Sequence, residues 1–436
     1  MLVCAPIGHL VWRCLRAALT ALFLASLFAV GRAQADDIAI DGPVALNAAL
    51  VAVVAGTTLV LAPGDYGALS LRGGGGAVGR PVTLRAADAQ GAVRFSGMTL
   101  RDTAHLVLEG LVFDYGFAPG DKKHLRPFQI ITSQDITLRD VLFDGDIATG
   151  PGNVDAGYPT GFGLGITQGQ SITLEDSEIR NFFRGLVVAD STDVTVGRND
   201  LHGLRMDGMN FAQVSHVRIE GNHIHDFQRA LESQDHADMI QFWTNGTDAP
   251  STDIMIRDNV LESGRGDYTQ SIFMRNDQVD RGMAGPEMFY RNVTISGNVI
   301  INAHLHGITV GETAGLTITN NTVVRNSASE GPDDNIALWT PQIRVAEGST
   351  DVQILRNVVA KIAGFADQAD WTVAENIYVQ DRTRMDRGFY EKVFMAQSPQ
   401  HDMAYFVARK GGPLDGAGVG AARLEGPVPT IAAGRP

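Results

Sequence analysis

The sequence predicts an all-β solenoid, and the main evidence is a strand-like phrase that recurs along the chain. Three residues with an alternating apolar pattern precede a polar pair, and an apolar pair follows, as in residues 136–142, Ile-Thr-Leu-Arg-Asp-Val-Leu. Copies start at residues 136, 172, 194, 217, 254, 293, 316 and 352, so the shortest spacing is 22 to 23 residues. Period-2 alternation indicates strands, and so short a unit buries a core only by stacking on its neighbours.

A column of Asn residues is the second observation. These residues occupy one phase of the repeat, with Asp140 and Asp176 predicted at the same place in earlier copies. The Asn positions are 199, 222, 259, 298, 321, 357 and 376. Asn tolerates the left-handed conformation and bonds to neighbouring backbone, so we expect stacked Asn side chains to form an internal ladder.

A second apolar segment precedes most copies of the phrase and is the third observation. Examples are residues 185–188, 208–211, 239–242, 271–274, 307–310 and 335–338. Each coil is then predicted to hold three short strands: a first strand before the phrase, a second within it and a third after the Asn. The expected fold is a right-handed parallel β-helix of about 22–23 residues per coil.

The predicted boundaries follow from where this repeat begins and ends. Residues 1–35 read as a signal peptide, because Arg13 and Arg16 flank an apolar stretch that ends in Ala33-Gln34-Ala35. An uncleaved anchor is the alternative. Residues 36–380 are predicted to form the β-helix with an N-terminal capping helix near 46–55. Residues 381–436 lose the repeat and are predicted to form a C-terminal cap, with a short helix near 389–394.

Composition narrows the function. The net charge of −14 argues against a nucleic-acid binder, which would carry a basic surface. Both Cys residues, Cys4 and Cys14, lie in the predicted signal, so neither a disulfide framework nor a cysteine metal site is expected beyond it. We expect a secreted or periplasmic monomer whose partner is a polysaccharide and which, after signal cleavage, binds neither nucleic acid nor membrane.

A family resemblance becomes specific near the N-terminus. Residues 57–66, Thr-Thr-Leu-Val-Leu-Ala-Pro-Gly-Asp-Tyr, are followed by Gly-Arg-Pro-Val-Thr-Leu-Arg-Ala at residues 79–86. This opening resembles secreted β-helical polysaccharide lyases of the alginate and chondroitin type and the related C5-epimerases. The resemblance implies an exported carbohydrate-active enzyme. The central coils lack the family's catalytic Lys and Arg pattern, and the Asp-Pro-His signature of mannuronan epimerases is absent.

Insertions into the repeat locate a predicted cleft. They flank the first strands of two consecutive coils, and loops on a rigid scaffold often carry function. The inserted ranges are 228–237, 244–251, 263–269 and 275–292. We expect these loops to form walls on both sides of a floor made by the outward row of the first strands.

Aligned first strands place polar side chains in columns along this floor, about 4.8 Å apart. Amide, imidazole, guanidinium and aromatic groups together suit a sugar-binding cleft. The residues predicted to bind substrate are Arg184, Arg205, Asn210, Gln241, Trp243, Arg275, His304 and His306. The alternatives are an ordinary loop residue for Arg275 and wall residues for the two His.

Two carboxyl groups are predicted to be neighbours on this floor, at Asp207 and Asp238. Such neighbours repel unless they are compensated. Arg205 and His236 beside them, a shared proton, or a Ca²⁺ ion with oxygen ligands would each compensate the pair. Asp207 and Asp238 are therefore predicted calcium ligands, and the alternative is that they cap turns.

The predicted reaction is β-elimination on a uronic-acid-containing polysaccharide. It requires a neutralised substrate carboxylate, removal of the C5 proton and protonation of the C4 oxygen. Arg205, Arg275 or Ca²⁺ meets the first requirement. Either His236 or Tyr268 is the predicted base and the other the acid, with Asp238 orienting His236. The alternatives are a satisfied surface histidine for His236 and a loop residue for Tyr268.

Three alternatives remain at this stage. Hydrolysis would use Asp207 and Asp238 as acid and base. A C5-epimerase would begin with the same removal of the C5 proton, and a non-catalytic polysaccharide-binding β-helix would need no proton transfer.

A separate set, His202, His223, His225 and Glu262, falls around the third strands and is interpreted as a solvated face or a metal site.

Overall fold

The computed structural model describes residues 37–88, 92–264, 268–329, 335–365 and 368–426. The predicted signal peptide lies outside these residues. Within them the chain winds through three long sheets, and the paired strands of each are parallel. This confirms a β-helix with three strands per coil. No helix of the described residues is long and apolar enough to cross a membrane.

The first sheet supplies the floor of the predicted cleft. Its strands, in the order in which they pair, are Ala68–Arg72, Gly97–Arg101, Phe128–Ile131, Phe162–Thr167, Arg184–Ala189, Met209–Ala212, Asp238–Trp243, Gln270–Arg275, His306–Val310, Gln342–Val345 and Ile362–Ala363. The strand predicted at residues 335–338 is wrong: in that coil the first strand is Gln342–Val345, four to seven residues later. The stretch 336–340 instead turns ahead of it.

The second sheet contains the recurring phrase. Its strands are Asp37–Ile40, Thr58–Leu61, Val82–Ala86, Ala104–Glu109, Gln134–Arg139, Gln170–Glu175, Thr192–Gly197, Ser215–Glu220, Thr252–Arg257, Tyr290–Ser296, Thr313–Thr319, Thr350–Leu355 and Trp371–Ala374. Alternation decides which side chains face inward: Val293 and Ile295 are buried and Thr294 is partly exposed.

The third sheet follows the Asn column. Its strands are Gly64–Asp65, Val93–Phe95, Val112–Asp114, Leu142–Asp144, Glu178–Arg180, Asp200–His202, His223–His225, Val260–Glu262, Val299–Asn302, Thr322–Arg325, Val358–Val359 and Ile377–Tyr378. A short antiparallel pair, Asp146–Ile147 with Pro159–Thr160, lies in an insertion between coils.

The predicted Asn ladder is present at the turn between the second and third sheets. Asn222 Oδ1 accepts hydrogen bonds from the backbone N–H and Nδ2 of Asn199, and the pattern repeats along the column to Asn376. Asp140 and Asp176 are not part of it. They hold the left-handed position one residue earlier, and the residue aligned with Asn199 is Ser177.

Helices occur at the two ends and in one insertion. The predicted N-terminal helix is Pro43–Ala52, with Leu46 buried against the core, and a one-turn helix occupies Asp277–Asp280. The C-terminal segment contains the helix Tyr390–Val393 and 3₁₀ turns at Met403–Phe406 and Ala422–Leu424; a further 3₁₀ turn is Pro286–Met288. The apolar residues of the C-terminal segment pack on outward Val and Ile side chains of the third sheet.

Candidate functional site

The candidate site lies on the outward face of the first sheet, where the strands Arg184–Ala189, Met209–Ala212, Asp238–Trp243 and Gln270–Arg275 run side by side. Asn210 pairs with Gln241, and Asp238 pairs with Gln270, as the aligned columns predict. Because neighbouring strands are locked in register by the ladder, polar residues at the same position of each coil meet on this face.

A buried polar cluster forms the centre of the site. Asp207 and Asp238 are both completely buried, and Asp207 Oδ1 accepts a hydrogen bond from the backbone N–H of Asp238. Asn210 Nδ2 donates to Asp207 Oδ2 at 3.0 Å and to Gln241 Oε1 at 2.9 Å. Gln241 Nε2 donates to Asp238 Oδ2 at 2.8 Å. The predicted proximity of the two carboxyls is therefore observed.

The compensating cation differs from the expectation. Arg184 Nε lies 3.1 Å from Asp207 Oδ2, so Arg184, not Arg205, is the guanidinium beside the pair. Burial raises the pKa of Asp207. Burial and then the charge of Asp207 raise the pKa of Asp238 well above its ordinary value. One carboxyl of such a buried pair keeps its proton to a higher pH than an isolated carboxyl does.

His236 lies at the rim of this cluster. Its Nε2 is 3.3 Å from Asp238 Oδ2 and 3.3 Å from Gln241 Nε2, and about half of its side chain, 52%, is exposed. The inserted loop 228–237 ends here, so the loop delivers an exposed imidazole onto a buried carboxyl. This arrangement directs Nε2 at Asp238 and leaves the ring partly exposed.

Arg205 is a correction to the predicted substrate-binding set. Only 2% of its side chain is exposed, and its guanidinium binds Asp155 at 2.7 Å and Asp235 at 3.0 Å. It also lies over the rings of Tyr158 and Phe183. Arg205 therefore ties loops together beneath the cleft and cannot contact a substrate directly.

Two inserted segments that the sequence reasoning did not connect to the site also reach it. Lys123, from the segment between Tyr115 and Phe128, lies 3.2 Å from both carboxylate oxygens of Asp235. Asp155 comes from the segment between residues 147 and 159. No repeat phase marks either residue, and the signal available in the sequence was only that both coils are longer than the basic period.

Aromatic rings line the part of the cleft near Arg184. The guanidinium carbon of Arg184 lies 5.8 Å from the ring of Trp243 and 5.6 Å from that of Phe162. Phe162 and Phe183 stack on each other within a small apolar cluster beside the main core. Phe162 and Phe183 are buried, whereas Trp243 is partly exposed, and an exposed aromatic face can pack on the apolar face of a sugar ring.

The predicted Tyr268, His304 and His306 form a second group one to two coils farther along. The Tyr268 ring meets His304 edge-on at 4.1 Å, and His304 stacks on His306 at 5.2 Å. Arg229 donates to the backbone carbonyl of Tyr268 at 2.9 Å. Burial, followed by nearby positive charges, lowers the pKa of His304 to about 3 and of His306 to about 4. Both rings are neutral at physiological pH.

A cavity of about 290 Å³ opens beside this group. Its lining includes Phe273, Arg275, His306, Thr309 and Arg344. The guanidinium of Arg275 is paired with Asp280 at 2.9 Å. Among the described residues no carboxylate oxygen lies within 4 Å of the Arg344 guanidinium, which leaves that cation available to a ligand. The sequence reasoning missed Arg344 because it placed the first strand of that coil at 335–338.

The donor set around Asp207 and Asp238 does not fit the predicted Ca²⁺. Calcium prefers six to eight oxygen ligands. Here the side-chain amides of Asn210 and Gln241 donate to the two carboxyls, and Arg184 Nε lies 3.1 Å from Asp207 Oδ2. Within the described residues, the atoms of this cluster without a hydrogen-bond partner include two oxygens, Asp238 Oδ1 and Asn210 Oδ1, and one nitrogen, Arg184 Nε. Calcium at this site remains a prediction.

Comparisons with known proteins identify the fold of this chain and not its reaction. A family model described as "Right handed beta helix region" matches residues 162–359. This confirms the predicted right-handed parallel β-helix. No curated protein sequence matches the chain.

Solved structures give only remote likenesses. The chain is similar to the PL6 family alginate lyase AlyGC at 13% identity and TM-score 0.39, covering 89% of this chain and 57% of that one. It is similar to the Dettilon tailspike protein at 12% identity and TM-score 0.49, covering 80% of this chain and 63% of that one. It is similar to the periplasmic alginate epimerase AlgG at 12% identity and TM-score 0.41, covering 79% of this chain and 84% of that one. The chain spans less than two thirds of the first two structures, and these values say nothing about its reaction.

Proposed function

We propose that the chain is an exported carbohydrate-active enzyme that cleaves an acidic polysaccharide by β-elimination in the cleft over the first sheet. The observation that carries the proposal is His236, an exposed imidazole held by the buried carboxyl of Asp238 at 3.3 Å. An exposed acid–base group oriented from beneath is what removal of a C5 proton requires.

Proton transfer follows from the local hydrogen bonds. In the proposed reaction His236 takes the tautomer that donates through Nε2–H to Asp238 and carries its lone pair on Nδ1. Gln241 Nε2, 3.3 Å from the same ring nitrogen, donates instead to Asp238 Oδ2. Nδ1 is then the base that removes the C5 proton. Asp238 is a positioning residue here, because burial under the loop keeps its oxygens from the substrate.

The second proton-transfer group is Tyr268. It stands two residues before Gln270, as His236 stands two residues before Asp238, and these two strand residues are paired. This register supports a position for Tyr268 about one strand spacing along the cleft from His236. In the proposed reaction Tyr268 protonates the C4 oxygen as the glycosidic bond breaks.

Three guanidinium groups along the cleft meet the need for a neutralised substrate carboxylate. Arg184, next to Trp243, is close to the reacting sugar, while Arg275 and Arg344 lie beside subsites farther along the floor. A net charge of −14 does not steer a polyanion to the protein, so these local cations are essential to the proposal.

The burial of the two carboxyls favours elimination over hydrolysis. A hydrolytic acid and base must both reach the scissile bond or its attacking water. Asp207 and Asp238 are completely buried, and each accepts a hydrogen bond from a side-chain amide. C5-epimerisation shares the first proton transfer and is separated from elimination by its products.

The test is incubation of the purified chain with a panel of acidic polysaccharides. Elimination yields unsaturated ends that absorb in the ultraviolet, hydrolysis yields reducing ends without that absorbance, and epimerisation changes the sugar without shortening the chain. His236→Gln and Tyr268→Phe should each lower turnover by about 10²–10⁴-fold.

The matched control is His216→Gln. His216 is also an exposed His near a carboxylate, with Nε2 3.8 Å from Asp253 Oδ2, but it lies on the second sheet. We expect it to keep full activity. Full activity in the His236 variant, or products with reducing ends and no unsaturation, would refute the proposal.

A further inference from the structure

A second cluster of ligand-type side chains lies on the third sheet, on a different face from the cleft. Asp200 and His223 pair in register on neighbouring strands, and His225 follows on the same strand as His223. One potential ligand atom from each of the three lies within 4.8 Å of the others. Among the described residues, no other three His, Cys, Asp or Glu side chains meet so closely.

The spacing of these atoms suits a small transition-metal ion. Asp200 Oδ1 lies 2.8 Å from His225 Nε2 and 3.6 Å from His223 Nδ1. Bonds of about 2.0–2.2 Å to a tetrahedral Zn²⁺ place neighbouring ligand atoms about 3.4 Å apart. The two observed distances bracket this value, so a small movement of either ring would close the site.

The outer nitrogens of the two rings provide independent support. His225 Nδ1 is 2.8 Å from Asp226 Oδ2, and His223 Nε2 is 3.2 Å from Glu262 Oε1. A metal-bound His almost always donates its other N–H to a carboxylate or carbonyl, which fixes the tautomer. Here both rings have a carboxylate at the outer nitrogen while both inner nitrogens face Asp200. A merely solvated face does not require this arrangement.

We propose that Asp200, His223 and His225 bind one zinc-type divalent cation, with Asp226 and Glu262 orienting the two imidazoles. Two imidazoles and one carboxylate favour Zn²⁺ over Ca²⁺ or Mg²⁺, which prefer oxygen ligands. The ligands come from consecutive coils, so the ion clips those coils together. The three residues are partly exposed, which leaves a fourth position for water or an external ligand.

The test is calorimetric titration of ZnCl₂ into the untagged full chain after chelator treatment and dialysis. We expect one Zn²⁺ per chain, no competition by CaCl₂ or MgCl₂, and a Zn²⁺-dependent rise in the urea midpoint of unfolding. His223→Ala and His225→Ala should weaken binding by about 100-fold or more, and Glu262→Gln by about 10–100-fold. His216→Gln should bind as the unmodified chain does.

Binding that is no tighter than in His223→Ala, or that His216→Gln weakens equally, would overturn the proposal and leave an ordinary network of His and carboxylates. Circular dichroism of each variant in chelator checks that it folds. If an Ala variant does not fold, Glu262→Gln decides, because it keeps the size of the side chain and removes the negative charge beside His223. Unchanged affinity in a folded Glu262→Gln would count against the site.

Discussion

The Asn ladder can be tested at its centre with Asn222→Ala. Asn222 Oδ1 accepts from the backbone N–H and Nδ2 of Asn199, both at 3.0 Å. Its Nδ2 donates to the carbonyl of Val196 and to Asn259 Oδ1, both at 2.9 Å. Asn222 itself is completely buried, so water cannot replace these four hydrogen bonds.

The expected loss is worked from those bonds. Each contributes about 1 kcal/mol net, so four contribute about 4 kcal/mol. The buried N–H of Asn199 loses its acceptor, which adds about 1–3 kcal/mol, whereas Asn199 Nδ2 keeps the carbonyl of Leu174. We expect the free energy of unfolding to fall by roughly 5–7 kcal/mol.

Urea unfolding followed by circular dichroism measures this loss. Asn245→Ala is the matched control, because Asn245 is exposed and its Oδ1 accepts one bond, from Arg281. The control should change stability by less than about 1 kcal/mol. Equal effects of the two substitutions would refute a contribution of the ladder to stability. Unfolding in separate steps would show that the loss is local to a few coils.

Two further predictions concern the cleft. Asp238 has a raised folded-state pKa, so its contribution to stability is fully present below its ordinary pKa and is lost as pH rises through the raised value. The Tm of Asp238→Asn relative to the unmodified chain should therefore rise between pH 4 and pH 8, and a pH-independent difference would exclude the shift. Arg344→Ala should raise KM by about 10–100-fold with little change in kcat, because it removes one charge-assisted contact outside the reacting subsite. Arg356→Ala, on the outside of another turn, is its control and should leave KM unchanged.

The repeat let the sequence predict most of the fold. Each coil pairs with its neighbours at the same phase of the repeat, so strand alternation and the Asn phase predicted the sheets, the ladder and the pairing of Asn210 with Gln241. Errors arose where local patterns were ambiguous. Asp176 resembles a ladder residue but lies one position early, and residues 335–338 have strand-like composition yet turn before the true strand.

The residues of the candidate site also differ in whether the repeat could predict their contacts. Residues on or just before regular strands, such as Asp207, Asp238 and Gln241, could be placed together from the sequence because register relates them. The pairing of Lys123 with Asp235, 112 residues apart, and of Arg205 with Asp155, 50 residues apart, could not. Each brings an insertion against another coil, and an insertion follows no period. Only the tertiary structure decides which distant side chains an irregular loop meets, because that depends on packing and charge between segments that no repeat connects.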